Sequence, residues 1–172
     1  MTMPRDSSQY SSFLKRIIDL GAKEAKVSQP STVVTAGWVR LKCQFGCDGY
    51  GSSLCCPPHS PTPEQTRRTL DEYKAAILAH FGANGRVTKT MAALEREVFL
   101  QGYQKALALG AGPCNLCKSC PEDGCKHPDK ARPSMEACGI DVFTTARNNG
   151  YPIEVVVDEN SEQNYYGLLL IE

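Results

Sequence analysis

The sequence predicts an α+β fold in which a mixed sheet of about four strands carries packed helices and two cysteine-rich metal-binding loops. Short runs of β-branched and aromatic residues alternate with longer segments whose apolar residues recur at helical spacing. Helical segments separate the first three predicted strands, which favours parallel neighbours, and a polar loop separates the last two, which favours a hairpin. The length of 172 residues suits one metal-binding domain, residues 1–172, with a substantial core.

The first two predicted elements are a helix and a strand. Residues 8–20 form the helix, because apolar residues such as Phe13 and Ile17 fall on one face and Gly21 follows as a stop signal. Residues 31–43 form the strand, because valine and tryptophan recur there. This strand leads directly into the first group of cysteines.

A second helix begins at a combination of three start signals. Thr62 can cap the helix, Pro63 suits its first position, and Gln65 completes a capping box. We expect this helix to end near Tyr73. The apolar run at residues 75–81 then predicts a short buried strand, which a loop containing glycine and asparagine ends.

The longest predicted helix covers residues 88–109. It carries a stripe of apolar residues at helical spacing and ends in a glycine-rich turn before the next cysteines. Asp141 can cap a further helix that reaches about Arg147. Residues 153–158 and 165–171 are predicted strands joined by a polar hairpin loop.

The charge balance and the cysteine count limit the classes of function. Nineteen Lys and Arg residues balance nineteen Asp and Glu residues, so the chain lacks the basic excess of a nucleic-acid-binding protein. No stretch is long and apolar enough for a membrane span, and the first ten residues lack the apolar core of a signal peptide, so we expect a cytoplasmic protein. Nine clustered cysteines, an odd number, favour metal ligation in a reducing compartment over a disulfide framework.

The densest group of cysteines lies in the second half of the chain. Cys114, Cys117, Cys120 and Cys125 fall within twelve residues. Their two-residue gaps let a peptide wrap a compact metal centre, and the spacing is close to the bacterial ferredoxin run that holds a [4Fe–4S] cluster. The last gap has four residues instead of three, and zinc also binds Cys-x-x-Cys motifs. The run therefore predicts a metal site and favours iron–sulfur over zinc.

Another group of cysteines precedes this run and contains Cys43, Cys47, Cys55 and Cys56. Glycines between these cysteines permit a close backbone approach, and two prolines after Cys56 stiffen the exit. Adjacent residues rarely reach one metal without strain, so Cys43, Cys47 and Cys56 are the stronger candidate ligands. Cys55 is either the fourth ligand or a bystander.

Two further cysteines leave the ligand sets open. Cys138 can be a small buried residue, a ligand to one cluster or a reactive thiol. Cys125 can close the site of its own run or, as in two-cluster ferredoxins, complete the other site. All nine cysteines are therefore candidate metal ligands.

Six short motifs, most of them containing cysteine or proline, are distributed over almost the whole chain. They are Trp38-Val-Arg-Leu-Lys-Cys43, Cys47 with Tyr50-Gly51, Cys56-Pro-Pro-His59, Gly112-Pro113-Cys114, Arg132-Pro-Ser134 and Gly139-Ile-Asp-Val142. Together they resemble the motifs of a prokaryotic family described as predicted metal-binding protein, a domain of unknown function. The resemblance implies metal binding through cysteines and no assigned reaction. It also matches Cys56 to the cysteine of the family's Cys-Pro-Pro motif, which favours Cys56 over Cys55 as a ligand.

The leading hypothesis is an iron–sulfur protein with one or two [4Fe–4S] clusters that exchanges electrons with a redox partner protein. Iron–sulfur ligation also favours an anaerobic or well-reduced cytoplasm. Basic residues around the second cysteine run can offset the negative charge of a four-thiolate cluster, and they can equally form a solvated face. These residues are Lys118, Lys126, Lys130 and Arg132.

Two other functions remain open. A cluster held by three thiolates would leave one iron open as a Lewis acid or redox site for a small-molecule substrate, with His59 and Asp48 as candidates for proton transfer. The second function is that of an interaction protein with a structural zinc site, in which His127 or His59 replaces a cysteine. A thiol redox protein is disfavoured because no thioredoxin-like context surrounds the cysteines.

Overall fold

A four-stranded antiparallel sheet forms the centre of the part of the chain that the computed structural model describes, residues 7–172. Its strands are β1 (Glu24–Ser28), β2 (Ala76–Phe81), β3 (Leu107–Leu109) and β4 (Tyr165–Leu170). They lie side by side in the order β1-β2-β4-β3. The expectation about a signal peptide falls partly on residues 1–6, which lie outside the described residues.

Five α-helices surround this sheet in residues 7–172. They are α1 (Ser11–Asp19), α2 (Gly37–Gly46), α3 (Pro63–Asp71), α4 (Val87–Leu100) and α5 (Val142–Asn148). Short 3₁₀ turns cover Ser7–Tyr10, Pro30–Thr32 and Glu136–Cys138. Among the described residues, no helix combines the length and the apolar character needed to cross a membrane. The α+β class and the expected number of about four strands are confirmed.

Strand β2 separates two hydrophobic cores because alternate side chains of a strand point to opposite faces. All six of its residues are buried. Ile77 and Phe81 face the core formed with α1 and α4, whereas Leu78 faces the core formed with α5 and the 3₁₀ turn at Glu136–Cys138. Each large apolar side chain buried in this way contributes about 1.5–3 kcal/mol to folding.

Two predicted helix starts are confirmed by their caps. Thr62 Oγ1 accepts a hydrogen bond from the Gln65 backbone N–H at 3.2 Å, and the Thr62 N–H donates to Gln65 Oε1 at 2.8 Å. Asp141 Oδ1 accepts from the Thr144 N–H at 3.0 Å. Because these side chains satisfy amides that the first helical turn leaves unpaired, the two helices begin where the sequence predicts.

The predicted strand at 31–43 is wrong, and most of this segment belongs to helix α2. Trp38, Leu41 and Phe45 follow helical spacing and are 50, 55 and 80% exposed. An exposed apolar stripe has the same composition as a buried strand, so composition misled the prediction. The strand that the prediction missed is β1, a partly charged edge strand with alternating exposure.

The predicted helix at 88–109 is too long. Helix α4 ends at Leu100, and Gly102 adopts a left-handed conformation with φ of 100°. Such a glycine reverses the chain direction after a helix without the clash that a Cβ would cause. The last apolar residues of the predicted helix form β3 instead.

The expected parallel neighbours and the terminal hairpin are also wrong, because each pair of adjacent strands is antiparallel. The expectation of parallel neighbours assumed that a single crossover helix joins two strands. The connection between β1 and β2 contains two helices, α2 and α3, so the chain can return to the sheet in the opposite direction. Residues 153–158 form no strand, and Val155 and Val157 there are 65 and 80% exposed. Strand β4 instead lies between β2 and β3, where its apolar residues are buried on both faces.

Candidate metal centre

Five cysteine side chains line one cavity of about 150 Å³ at the surface of the described structure. They are Cys55, Cys114, Cys117, Cys120 and Cys125. The last four belong to the second cysteine run, which follows β3 and contains no regular secondary structure. Cys55 comes from the first group and crosses to this cavity. The cavity also includes His127, one of the proposed zinc ligands.

The Cys55 thiol is the most perturbed member of this cavity group. Burial raises its pKa to about 12, and interactions with the Cys114 and Cys125 thiols add to the effect. The Cys55 and Cys114 side chains interact and line the same cavity. Neighbouring thiols resist ionisation because each new thiolate would repel the others. A bound cation reverses this balance, since metal ligation requires thiolates.

Backbone amides point at cysteine sulfurs in both groups. The Leu54 N–H donates to Cys120 Sγ at 3.4 Å, and the His127 N–H donates to Cys125 Sγ at 3.4 Å. In the first group, the Gly49 N–H donates to Cys47 Sγ at 3.3 Å. Hydrogen bonds to sulfur stabilise the anionic form and are one of the means by which proteins tune iron–sulfur centres.

Of the remaining first-group cysteines, Cys47 and Cys56 lie beside Gly49. A methyl group at Gly49 would lie 3.4 Å from Cys47 Sγ and 3.8 Å from Cys56 Sγ. It would also lie 3.6 Å from the Pro113 side chain, just before the second run. The absence of a side chain at Gly49 therefore keeps open the space beside two candidate ligands, at the place where the two cysteine loops meet.

Cys43 lies on α2 and is linked electrostatically to the other two cysteines. Burial is the main cause that raises its pKa, and Cys47 and Cys56 raise it further. The guanidinium of Arg40, three residues earlier on the same helix, lowers it. Arg40 Nη1 also donates to the Pro61 carbonyl at 2.8 Å and to the Ala137 carbonyl at 3.2 Å. Arg40 thereby fixes α2 to the segment after the first cysteine group and to the 3₁₀ turn at Glu136–Cys138.

Glu136 is a polar residue of this region that the sequence analysis missed. Its Oε2 atom is buried and has no hydrogen-bond partner among the described residues. Burial raises the pKa of Glu136, while its charge acts on Cys43 and Cys138. The available signal was a lone carboxylate within the mostly apolar segment Met135-Glu-Ala-Cys138, because a buried charged group needs a partner or a function.

Cys138 lies in the hydrophobic core and is only 2% exposed. Its side chain packs in the core that Leu78 of β2 forms with α5. Its carbonyl accepts a hydrogen bond from Thr66 Oγ1 at 2.6 Å. Burial raises its pKa to about 12. This environment matches a small buried residue, one of the three roles considered for it, and its ligation of metal stays a prediction.

The other candidate side chains lie at the surface. Asp48 and His59 are exposed next to the first cysteine group. Among residues 7–172, no three or more His, Cys, Asp or Glu side chains are arranged closely enough to hold a single metal ion. The cysteines thus share a cavity or a cleft without meeting at one point.

An ion pair anchors the end of the second cysteine run to α4. Arg132 Nε and Nη2 donate to the two carboxylate oxygens of Glu95 at 2.7 and 2.5 Å, and both side chains are largely buried. Glu95 Oε2 also accepts from the Ala108 N–H of β3 at 2.6 Å. Glu95 raises the pKa of Arg132 through this contact. The predicted charge-offsetting residue Arg132 is therefore neutralised within the fold, whereas Lys118 and Lys126 are exposed.

Comparison with known proteins supports a metal-related assignment of this region. A protein-family model described as predicted metal-binding protein (DUF2284) matches residues 26–171. The match includes all nine cysteines. No curated protein and no solved structure gives a significant match.

Proposed function

Because the chain belongs to the family of predicted metal-binding proteins, we propose that it is an iron–sulfur protein that acts in electron transfer. A [4Fe–4S] cluster bound in the five-cysteine cavity would supply one-electron chemistry. The proposal treats residues 1–172 as one metal-binding domain of the cytoplasm. A reduced, oxygen-poor compartment suits such a cluster.

The observation that carries this proposal is the convergence of five thiols on a cavity of about 150 Å³. A structural zinc site uses four ligands around one ion, and the space here is several times the roughly 10–15 Å³ that a cavity needs to hold one water molecule. Several thiols around one cavity suit a polynuclear cluster, because its thiolates bind different iron atoms.

Within this cavity we assign Cys55, Cys114, Cys117 and Cys120 as the four ligands. In ferredoxins, three closely spaced cysteines of one run are completed by a remote cysteine, while the fourth of the run serves elsewhere. Cys55 is the remote cysteine here, since its side chain contacts Cys114 and the preceding amide donates to Cys120. Cys125 is exposed at the edge of the same cavity and is left as the additional thiol.

The chain's own residues would hold this cofactor. The cysteines fix its position, and the amides of Leu54 and His127 donate to the sulfurs of Cys120 and Cys125. Exposed Lys118 and Lys126 lie on the same run and would favour an acidic redox partner. Arg132 would hold the run in place through Glu95.

The three-cysteine group supports a second candidate function, that of an enzyme. With Cys55 directed to the other cavity, Cys43, Cys47 and Cys56 remain without a fourth cysteine. A cluster held by three thiolates has one iron available to a substrate, which suits Lewis-acid or redox catalysis. Exposed His59 and Asp48 would then be candidates for proton transfer.

Metal analysis of anaerobically purified protein tests both proposals. We expect a brown protein that loses colour on reduction, with about four irons and four sulfides for one cluster or about eight of each for two. Four would indicate one cluster, and eight would indicate occupation of both groups. A colourless preparation with stoichiometric zinc would contradict the iron–sulfur proposal and favour the structural zinc alternative.

A further inference from the structure

A groove of about 1,020 Å³ lies beside the five-cysteine cavity, between α4 and the second cysteine run. Small-molecule sites in proteins occupy roughly 300–1,000 Å³, so this groove has the volume of a ligand site. Its two walls come from different parts of the fold, residues 85–96 and residues 111–131.

The ionisable residues of this groove are mostly positive. Arg86, Lys89, Arg96 and Lys130 line it together with one carboxylate, Asp129. The whole chain has a formal net charge of zero, so this is a local concentration of positive charge. All four basic side chains are exposed, and none forms an ion pair with another residue between 7 and 172. The groove therefore presents cations whose charge the described part of the fold does not neutralise.

Two of these cations lie where they oppose the dipole of a helix. Arg86 is the N-cap residue of α4, and Lys89 is in its first turn, which contains no acidic residue. The N-terminus of a helix carries partial positive charge and favours anions. A negatively charged ligand in the groove would offset this repulsion and reach several cations at once.

The groove and the five-cysteine cavity share a wall formed by Cys114, Leu116 and Ala131. A ligand in the groove would therefore lie next to the proposed metal centre. The remaining lining consists mainly of small aliphatic residues such as Val87, with the polar residues Thr88 and Asn115, and contains no aromatic ring. Recognition by stacking is thus not available, which favours a ligand identified by its charges.

We propose that this groove binds a small polyanion, with two or more phosphate or carboxylate groups, directly beside the cysteine cavity. Charged hydrogen bonds from arginine and lysine are the contacts that such groups require. The inference goes beyond electron transfer and gives the protein a small-molecule site. Binding itself does not depend on a metal, so it can be tested whether or not the iron–sulfur proposal holds.

Calorimetric titration of the purified full chain with pyrophosphate and with citrate, at low ionic strength, tests the site. We expect saturable binding of one molecule per chain that weakens as salt is added. Tighter binding of pyrophosphate would indicate a phosphate ligand, and tighter binding of citrate a carboxylate ligand. No saturable binding of either probe would overturn the proposal.

A double variant with Arg86→Gln and Lys89→Gln should bind at least about tenfold more weakly, since a charged hydrogen bond contributes about that factor. Lys15→Gln, on the exposed face of α1 and outside the groove, is the matched control and should bind like the wild type. Equal binding by the double variant and the wild type would overturn the proposal. A second pair, Arg96→Gln with Lys130→Gln, provides the same test if the first double variant does not fold.

Discussion

Cys55 and Cys56 are neighbours in the chain, but their thiols belong to different groups of cysteines. The Cys55 side chain contacts Cys114, whereas Cys56 Sγ lies beside Gly49 and Cys47. Consecutive residues in extended or turn backbone can direct their side chains to opposite sides. The Cys-Cys pair therefore joins the two candidate sites.

The assignment of Cys55 as a ligand predicts different results for two serine variants. Cys55→Ser should lose the iron of the five-cysteine cavity, because its side chain contacts Cys114 within the cavity. Cys125→Ser should retain it, since Cys125 is exposed and additional to the four proposed ligands. The iron and sulfide contents of the two variants are measured after each is purified separately, in parallel and without oxygen. Retention by Cys55→Ser with loss by Cys125→Ser would reverse the assignment.

We expect metal binding by Cys43, Cys47 and Cys56 to require the open space beside Gly49. Gly49→Ala should fold like the wild type but hold less metal at this group, because its methyl group would lie within 4 Å of two candidate sulfur ligands. Gly46→Ala is the control, since no atom lies within 4 Å of a methyl group there. The metal content of both variants is compared by elemental analysis, and their folding by circular dichroism. A normal metal content in Gly49→Ala would remove the support for a site at Gly49.

The ion pair between Arg132 and Glu95 should contribute to the stability of the second cysteine run. Arg132→Gln leaves a mostly buried carboxylate without its bidentate partner, and we expect a loss of about 2 kcal/mol in the free energy of unfolding. Arg147→Gln breaks an exposed pair with Glu154 and should cost less than about 0.5 kcal/mol. Urea denaturation measures both. Equal losses would mean that the buried pair adds nothing beyond a surface contact.

Gly139 combines a left-handed backbone with a close contact. Its φ is 75°, and a methyl group there would lie 2.4 Å from the Pro63 side chain. Gly139→Ala should therefore lose about 3 kcal/mol of unfolding free energy from backbone strain and overpacking together. Gly150→Ala has a similar φ of 72° but only ordinary contacts, so about 1 kcal/mol is expected. Thermal or chemical unfolding measures the difference, and similar losses for the two variants would contradict the crowding at Pro63.

Because Tyr166 is buried, we expect the free energy of unfolding to decrease at alkaline pH. Burial raises its pKa from 10.0 to about 12 in the folded protein. The neutral phenol is therefore favoured by folding, and its contribution is complete below pH 10 and lost as the pH rises to about 12. Unfolding free energies across this range should fall less steeply in Tyr166→Phe than in the wild type. An unchanged slope in Tyr166→Phe would contradict the prediction.

The sequence alone was sufficient for features that depend on local chemistry. The capping signals at Thr62 and Asp141 start helices because a side-chain oxygen satisfies nearby amides wherever it occurs. The mostly apolar segment of β2 is buried because its side chains favour removal from water. The clustering of cysteines also predicted a metal-binding protein, which the family match supports.

Features that depend on partners distant in the chain were not available from the sequence. The 31–43 segment has the composition of a strand, but the sheet has no place for it, and α2 instead exposes Trp38 and Phe45. Strand direction was predicted wrongly because it depends on how the long connection between β1 and β2 returns to the sheet. The carboxylate of Glu136 became visible as a buried group only when its surroundings were known.

The cysteine sites show the same division. Residue type and spacing determine that thiolates are available and that they favour soft metals, because ligand chemistry is a property of the side chain. Which thiols share a site is decided by tertiary structure, since Cys55 and Cys114 are brought together only when the two loops meet near Gly49 and Pro113. Spacing along the chain fixes neighbours within one loop, whereas the packing of loops against each other selects the partners between them.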